Sequence, residues 1–532
     1  MKQRPTTMLT LLAAATLAQA EPKLSKDLNG IPPGNMIDII IQFKEPPTGQ
    51  RHQEVASLGG QLKYELPLVR AGLYRLPAAA LSQLSRNPNV TYVSPDRDLQ
   101  PMLDKTAPAV GGTIAAQYGY TGEGVGVALL DSGVYFPTLL GSALAYSKNF
   151  TTTSSAGDWY GHGTQVAGIL AASGSSPYKG LARQVRLVSL KVLDDTGKGK
   201  DSWIIAAIDH AISLKSTYNI RVMNLSLGRA VVESHTLDPL CLAVERAWQA
   251  GIVVVAAAGN EGRNNSQGTD GYGTIASPGN SPHVITVGAM KTSGTSTRAD
   301  DAVASYSAKG PTAIDHIAKP DIVAPGNRIV SSMYWNCNLR SQYPDNRVDN
   351  NYFKLSGTSM AAPVVSATVA LLLQKEPSLT PDQVKARLMK TATKSFPPYS
   401  TATDAATGQT YTSQYDIFTI GAGYLDVWAA LNNTDSGTGT ALSPKVTRNA
   451  ATNDVSLVFA NGVVWGTGVV WGTGVVWGTG VVWGTGVVWG TGVVWGTGGS
   501  PAGTGVVWGT GVVWGTGQPG GESTGIAVSG EN

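Results

Sequence analysis

The sequence predicts an α/β fold, a three-layer, doubly wound and mostly parallel sheet, for residues 103–433. Strand-like segments alternate with helical segments such as 201–214 and 238–250. The strand-like segments are 125–130, 185–190, 221–225, 252–256 and 284–287. Several of them are nearly continuous apolar runs, which is typical of strands whose two faces are both covered by helices. Polar residues follow two of these strands, at the sheet edge where ligands bind in such folds.

Size and charge narrow the classes of function. The chain has 532 residues, more than one hydrophobic core usually organises, so several segments are expected. Charged residues make up 14% and the formal net charge is +3. A charge this small gives no reason to expect a nucleic-acid partner or a membrane-surface partner.

The first residues predict a secretory signal over residues 1–20. Lys2 and Arg4 precede an apolar run at 8–17, and Ala18 and Ala20 complete a small-residue cleavage site. A membrane span needs roughly 20 apolar residues, so this run is too short to be one. The prediction is a secreted protein without a membrane span.

Residues 21–102 begin with a polar linker and then form a second unit, a small α+β domain. Its predicted strands are 37–43, 72–76 and 90–93, and its predicted helices are 53–58 and 77–84.

Residues 434–532 form a tail rich in Gly, Trp and Val. The hexapeptide VVWGTG repeats from Val463 through Trp495, and two further copies contain Trp508 and Trp514. An even period keeps each repeat in phase on a strand, but two glycines in every six residues weaken any strand. Three interpretations stay open: a flexible or weakly structured tail, a β-rich stacking or adhesive module, and a piece removed during maturation.

Four short motifs supply the groups that acyl transfer needs. They are Asp131 in LDSGV, His162 in GHGT, Asn260 in AAGN and Ser359 in GTSMAAP. A serine hydroxyl becomes a nucleophile when an adjacent base takes its proton, and an amide donor stabilises the oxyanion that forms. Each motif alone is more often a turn, a loop or a helix cap. Their occurrence together in one chain favours catalysis.

The motifs and their order, Asp, His, then Ser, resemble those of the subtilisin-like serine proteases, the subtilases. The resemblance implies that Ser359 is the nucleophile, His162 the general base and Asp131 the residue that orients it, with Asn260 in the oxyanion hole. The expected activity is that of a serine endopeptidase acting through an acyl-enzyme. The helix that carries Ser359 is apolar nearly all round, which predicts a buried helix, with Pro363 in its first turn.

The resemblance also implies two edges that bind an extended peptide through its backbone. One edge is Ser226, Leu227 and Gly228, and the other includes Lys198, Gly199 and Lys200. Backbone pairing tolerates many side chains, so broad specificity for polypeptide substrates is expected. Either Lys198 and Lys200 favour substrates with acidic side chains, or they are ordinary lysines exposed to solvent.

By the same resemblance, residues 21–102 are an inhibitor-like propeptide that assists folding and is removed autocatalytically. The mature enzyme that results is expected to be a monomer. An unrelated α+β domain is the alternative for this unit. Two rival functions for the whole chain are an inactive subtilase fold that only binds, and an adhesin in which the repeats carry the main role.

No cofactor or metal site is predicted from the residues. Segment 172–180 is short and lacks the carboxylates that hard cations need, although calcium is common in the family. Cys241 and Cys337 are the only cysteines. An oxidising destination permits one disulfide between them, and the sequence does not give the distance that decides it.

Overall fold

The computed structural model describes residues 23–96, 98–101, 110, 112–135, 140–173, 178–293, 298–404, 407–435, 437, 439–448, 455–458, 468–491, 494–497 and 531. The predicted signal lies outside the described residues. Among the described helices, none combines the length and the apolar character needed to cross a bilayer.

The N-terminal unit is a four-stranded antiparallel sheet with two helices. Its elements are β1 (Met36–Phe43), α1 (Gly49–Ser57), β2 (Gln61–Leu66), β3 (Ala71–Pro77), α2 (Leu81–Arg86) and β4 (Val90–Pro95). The strand order is β2-β3-β1-β4, and Ile39, Ile41 and Leu76 belong to its own core. Strand β2 is absent from the prediction, although Leu62, Tyr64 and Leu66 alternate there with polar residues.

The elements from β5 to the last helix follow in chain order. They are β5 (Asp98–Pro101), α3 (Gly112–Gln117), β6 (Gly126–Asp131), β7 (Leu144–Asn149), α4 (His162–Ala171), β8 (Arg186–Lys191), β9 (Gly199–Lys200), α5 (Asp201–Ser213), α6 (Lys215–Tyr218), β10 (Ile220–Leu225), β11 (Leu227–Gly228), α7 (Pro239–Gln249), β12 (Val253–Ala257), β13 (Ile285–Lys291), β14 (Ala302–Val303), β15 (Ile322–Pro325), β16 (Ile329–Ser332), α8 (Asn338–Gln342), β17 (Tyr352–Leu355), α9 (Thr358–Lys375), α10 (Pro381–Thr391), β18 (Tyr399–Thr403), β19 (Thr410–Gln414), α11 (Ile417–Ile420) and α12 (Val427–Asn432).

The central sheet has the order β14-β13-β12-β10-β6-β8-β7, with β15 paired to β13. All of these pairs are parallel except β13 with β14. Helix α9 packs on β10, β12 and β13 and contacts α4, whereas α5 and α7 pack together, α5 on β6 and β8 and α7 on β12. The predicted three-layer, mostly parallel α/β fold is confirmed.

Helix α9 is buried from Thr358 to Leu373, as its all-round apolar character predicts. Pro363 was expected in the first turn, but it is the sixth residue of the helix. A proline there leaves the carbonyl of Ser359, four residues earlier, without its helical N–H donor. The hydroxyl of Ser226 donates to that carbonyl at 2.7 Å and replaces the missing hydrogen bond.

The chain after α12 stays on the same body beyond the predicted boundary at Asn433. The hydroxyl of Ser443 donates to the buried Asp321 at 2.5 Å, and Lys385 donates to Ser443 at 2.9 Å. The N–H of Ala318 donates to the carbonyl of Pro444 at 2.8 Å. The packed unit therefore includes residues around 443.

The described part of the tail contains four strands. It comprises β20 (Lys445–Arg448), β21 (Val455–Val458), β22 (Gly468–Thr491) and β23 (Val494–Thr497). Strands β22 and β23 pair in parallel, with Val482 opposite Val494 and Trp483 opposite Trp495. The offset is 494 − 482 = 12 residues, two repeats, so equal repeat positions pair. This backbone register favours the β-rich interpretation of the repeats.

Candidate active site

Asp131 and His162 meet at the carboxyl edge of the central sheet. Asp131 is the last residue of β6, and His162 is the first residue of α4. Asp131 Oδ1 lies 2.7 Å from His162 Nδ1 and accepts a hydrogen bond from the Ser132 N–H, also at 2.7 Å. Both side chains are buried. A carboxylate on Nδ1 directs Nε2 away from Asp131, as a general base requires.

Asp158 holds the start of α4 in place and is absent from the sequence prediction. Its buried carboxylate accepts hydrogen bonds at 2.7 Å from the N–H groups of Gly161 and Thr164 and from the hydroxyls of Ser132 and Thr164. Burial raises the pKa of the Asp158 carboxyl, and these hydrogen bonds oppose the rise. An aspartate three residues before the glycine that caps the helix is the signal that could have identified it.

The glycine after His162 permits a close backbone approach. A Cβ added at Gly163 would lie 2.1 Å from the carbonyl oxygen of Gly133. The Gly163 N–H also donates to Ser132 Oγ at 2.9 Å. The glycine therefore joins α4 to the loop after β6, so that His162 stays beside Asp131.

Ser359 is the second residue of α9. Gly357 before it has φ of +117°, which disfavours other residues, and its N–H donates to the Gly326 carbonyl at 2.7 Å. The Ser359 hydroxyl donates to the carbonyl of Ser226 at 3.1 Å. Ser226, predicted as a binding residue, thus contacts both the hydroxyl and the backbone carbonyl of Ser359.

Asn260 lies beside the start of α9. Its Oδ1 accepts hydrogen bonds from the N–H and the hydroxyl of Thr358, at 3.0 and 3.1 Å. Because the amide oxygen faces Thr358, the side chain's remaining polar groups are its Nδ2 N–H donors. Donors beside the nucleophile's helix are suited to a developing oxyanion. With α4 packed on α9, the structure gathers all four motifs in one region.

The two predicted peptide-binding edges flank a strand of the chain itself. Strand β5 pairs antiparallel with β9, where Leu99 is opposite Gly199 and Asp98 opposite Lys200. It also pairs antiparallel with β11, where Gln100 is opposite Gly228 and Pro101 opposite Leu227. An extended peptide inserted between two strands is the geometry of backbone recognition.

The two lysines of the first edge differ. Lys198 is exposed, and its N–H donates to Asp194 at 3.0 Å. Lys200 lies near Asp96, whose carboxylate accepts from the N–H and the hydroxyl of Ser202 at 2.9 and 2.6 Å. Burial raises the pKa of the Asp96 carboxyl, whereas Ser202 and Lys200 act in the opposite direction. The acidic group on which the charge of Lys200 acts thus comes from the N-terminal unit.

The N-terminal unit contacts the catalytic body at further points. Gln42 Nε2 donates to the carbonyl of Leu237 at 2.9 Å, and the hydroxyl of Tyr92 donates to Glu233. Two of the partner residues lie at helices: Ser202, which bonds Asp96, belongs to α5, and Leu237 lies two residues before α7.

Within the described ranges, no group of three or more His, Cys, Asp or Glu side chains is arranged to hold a metal. Residues 174–177 of the segment considered for calcium lie outside those ranges. Cys241 and Cys337 are both buried free thiols. Burial raises the pKa of the Cys337 thiol to about 12 and also raises that of Cys241, which disfavours the reactive thiolate.

Comparison with known proteins identifies the relatives of this chain. A model of the subtilase family matches residues 122–409. Serine protease AprX of Bacillus subtilis (strain 168) is 39% identical over 328 residues, covering 60% of this chain and 72% of AprX. Subtilisin E of the same strain is 33% identical over 367 residues, covering 66% of this chain and 84% of subtilisin E.

A solved structure also shares the fold. Fervidolysin from Fervidobacterium pennivorans, described as a keratinolytic enzyme related to subtilisin, superposes with a TM-score of 0.58 at 21% identity. The match covers 81% of this chain and 66% of that one, and it supports the fold alone. The family match and the two relatives establish that this chain belongs to the subtilase family and is a serine endopeptidase.

Proposed function

We propose that the chain is the precursor of a secreted serine endopeptidase that cleaves polypeptides with Asp131, His162 and Ser359 and removes its own N-terminal unit. The observation that carries the proposal is the position of β5. It lies between β9 and β11, and β11 directly follows Ser226, whose carbonyl bonds the Ser359 hydroxyl.

In the proposed reaction, His162 takes the proton of Ser359 as the serine oxygen attacks the peptide carbonyl. Asp131, 2.7 Å from Nδ1, stabilises the imidazolium that results. The amide of Asn260 and the N–H of Ser359 bind the oxyanion. His162 then protonates the leaving amine, which departs and leaves an acyl-enzyme. Water hydrolyses the acyl-enzyme by the same steps.

The register of β5 supports one position for self-cleavage. Pro101 is opposite Leu227 and Gln100 is opposite Gly228, so each step along the chain moves one step back on the partner. A substrate that continued this register would bring its next residue opposite Ser226, whose carbonyl accepts from the Ser359 hydroxyl. We therefore infer cleavage of the Met102–Leu103 bond, which coincides with the predicted domain boundary. The inference rests on the described pairs at 100 and 101.

After cleavage, the N-terminal unit is expected to stay bound as an inhibitor. Its β5 segment occupies the predicted peptide-binding edges, and Asp96 keeps its hydrogen bonds to Ser202. Export is supported by the signal pattern at residues 1–20. The mature enzyme is expected to be a monomer that needs no cofactor for the chemistry.

The test is N-terminal sequencing of the processed protein, with active-site labelling by a fluorophosphonate. A mature chain that starts at Leu103 and is labelled at Ser359 is expected. The matched Ser359→Ala chain should stay full-length after signal removal and take no label. Processing of a pure Ser359→Ala preparation would refute self-cleavage, and a start several residues away from Leu103 would refute the register.

A further inference from the structure

A buried polar pocket on the catalytic body holds a glutamate from the far end of the sequence. Glu531 lies beyond the repeats, and its side chain is only 4% exposed. Arg263 Nη2 donates to Glu531 Oε1 at 2.9 Å, and the Ser305 N–H donates to the same oxygen at 2.8 Å. The Ser305 hydroxyl donates to it as well. Three donors therefore converge on one carboxylate oxygen.

The backbone of the same residue is recognised separately. Asn327 Nδ2 donates to the carbonyl of Glu531 at 3.1 Å, and the Glu531 N–H donates to Asn327 Oδ1, also at 3.1 Å. A side-chain amide that pairs with both polar groups of one residue fixes that residue's position along the chain. Asn327 is itself buried, and the hydroxyl of Tyr306 lies 3.4 Å from its Oδ1.

Arg263 is the cation of the pocket, and it pairs with two carboxylates. Arg263 also donates to Asp404 at 2.8 Å, and its guanidinium lies over the ring of Tyr411, 4.4 Å from the centroid. These contacts hold the guanidinium in one orientation, so little entropy is lost when it binds Glu531. Oε2 of Glu531 is buried without a hydrogen-bond partner among the described residues, so recognition works through Oε1.

The pocket adjoins the loop that supports the nucleophile. Asn327 directly follows Gly326, whose carbonyl accepts the N–H of Gly357, two residues before Ser359. The pocket nevertheless lies outside the β9–β11 cleft, because none of its residues belongs to those edges. Occupation of the pocket is therefore compatible with an open cleft.

We propose that Arg263, Ser305 and Asn327 form a binding site for a glutamate-containing peptide, and that Glu531 of the same chain is its resident ligand. The chain from Arg448 to Glu531 then starts and ends on the catalytic body, with the repeats between two attachments. This site is independent of the proposed cleavage mechanism.

The experiment measures binding of a dye-labelled peptide of residues 523–532 by fluorescence anisotropy. Two receptors are compared, both full chains that carry Ser359→Ala to prevent digestion of the peptide. One of them also carries Glu531→Ala. A third chain with Glu522→Ala removes the same charge elsewhere in the segment. A second peptide carries Gln in place of the glutamate at 531.

Saturable binding to the Glu531→Ala chain is expected. Binding to the chains that keep Glu531 should be at least about tenfold weaker, because the resident residue competes. The Gln peptide should also bind at least about tenfold more weakly, since the loss of a charge-assisted hydrogen bond has that effect.

Three results would overturn the proposal. The first is the absence of saturable binding up to about 1 mM, which is the order of concentration at which a tethered segment meets its site. The second is equal affinity of the peptide for chains with and without Glu531. The third is equal affinity of the two peptides for the Glu531→Ala chain. Thermal unfolding of each receptor chain verifies that it is folded.

Discussion

The two segments that flank the catalytic body attach to it in different ways. The N-terminal unit inserts the backbone of β5 between β9 and β11, whereas the segment after the repeats inserts one side chain, Glu531. Backbone pairing depends little on side chains, so the first mode suits a segment bound as a substrate and then cut. Side-chain recognition depends on one residue, so the second mode suits a lasting attachment.

The two attachments share one hydrogen-bonding pattern. Asp96 accepts from the Ser202 N–H at 2.9 Å, and Glu531 accepts from the Ser305 N–H at 2.8 Å. In both cases a carboxylate, half-buried at Asp96 and buried at Glu531, accepts hydrogen bonds from the N–H and the hydroxyl of a single serine. The cation differs in kind: an arginine, Arg263, bonds Glu531, and a lysine, Lys200, acts by its charge on the pKa of Asp96.

The largest expected effect comes from Ser359→Ala, which should lower kcat by about a millionfold, as in subtilisin. Without the hydroxyl no acyl-enzyme forms, so the N-terminal unit should remain covalently attached. Peptide hydrolysis and gel mobility measure both results. Ser341→Ala is the control, since that hydroxyl only donates to the Cys337 carbonyl within its own helical segment, at 3.3 Å. Residual wild-type turnover in a pure Ser359→Ala enzyme would contradict the assignment.

Asn260→Asp should lower kcat by about 100- to 1,000-fold, the effect found for the corresponding amide in subtilisin. The substitution keeps the oxygen that accepts from Thr358 and removes the N–H donors. Steady-state kinetics with a peptide substrate should show a loss in kcat and little change in KM. Asn265→Ala, at an exposed asparagine, is the control. A change confined to KM would exclude a role in the oxyanion hole.

Asp96→Ala should weaken inhibition by the cleaved N-terminal unit by about tenfold, because two hydrogen bonds to a carboxylate are lost. The measurement is the recovery of activity on dilution of freshly processed protein. Glu45→Ala, at an exposed residue of the same unit, should leave recovery unchanged. Equal recovery for Asp96→Ala and wild type would show that backbone pairing alone holds the unit.

The smallest effect is expected from Thr380→Ala, which removes a capping box at the start of α10. The Thr380 hydroxyl accepts from the Gln383 N–H at 3.2 Å, and Gln383 also donates to the Gly437 carbonyl at 3.0 Å. The free energy of unfolding should fall by about 1 kcal/mol, measured by denaturant unfolding of the Ser359→Ala chain. Thr391→Ala in the same helix is the control, and an equal loss there would contradict the capping account.

Much of the catalytic body follows from local sequence patterns. Apolar runs predict β6, β8, β10, β12 and β13, because strands covered on both faces exclude polar side chains. The capping box at Thr380 is observed as the pattern TPDQ predicts. Strand β2 is missing from the prediction, because its alternation covers only six residues, and so short a run is a weak signal.

The sequence by itself determined the fold class, the family and the four reactive motifs, because each depends on residue types at short spacing. The tertiary structure alone decided which distant groups meet. It joined Asp158 to Ser132, Ser226 to the carbonyl that Pro363 leaves free, and Glu531 to Arg263. These contacts connect residues far apart in the chain or on different elements, and only packing brings such groups within hydrogen-bonding distance.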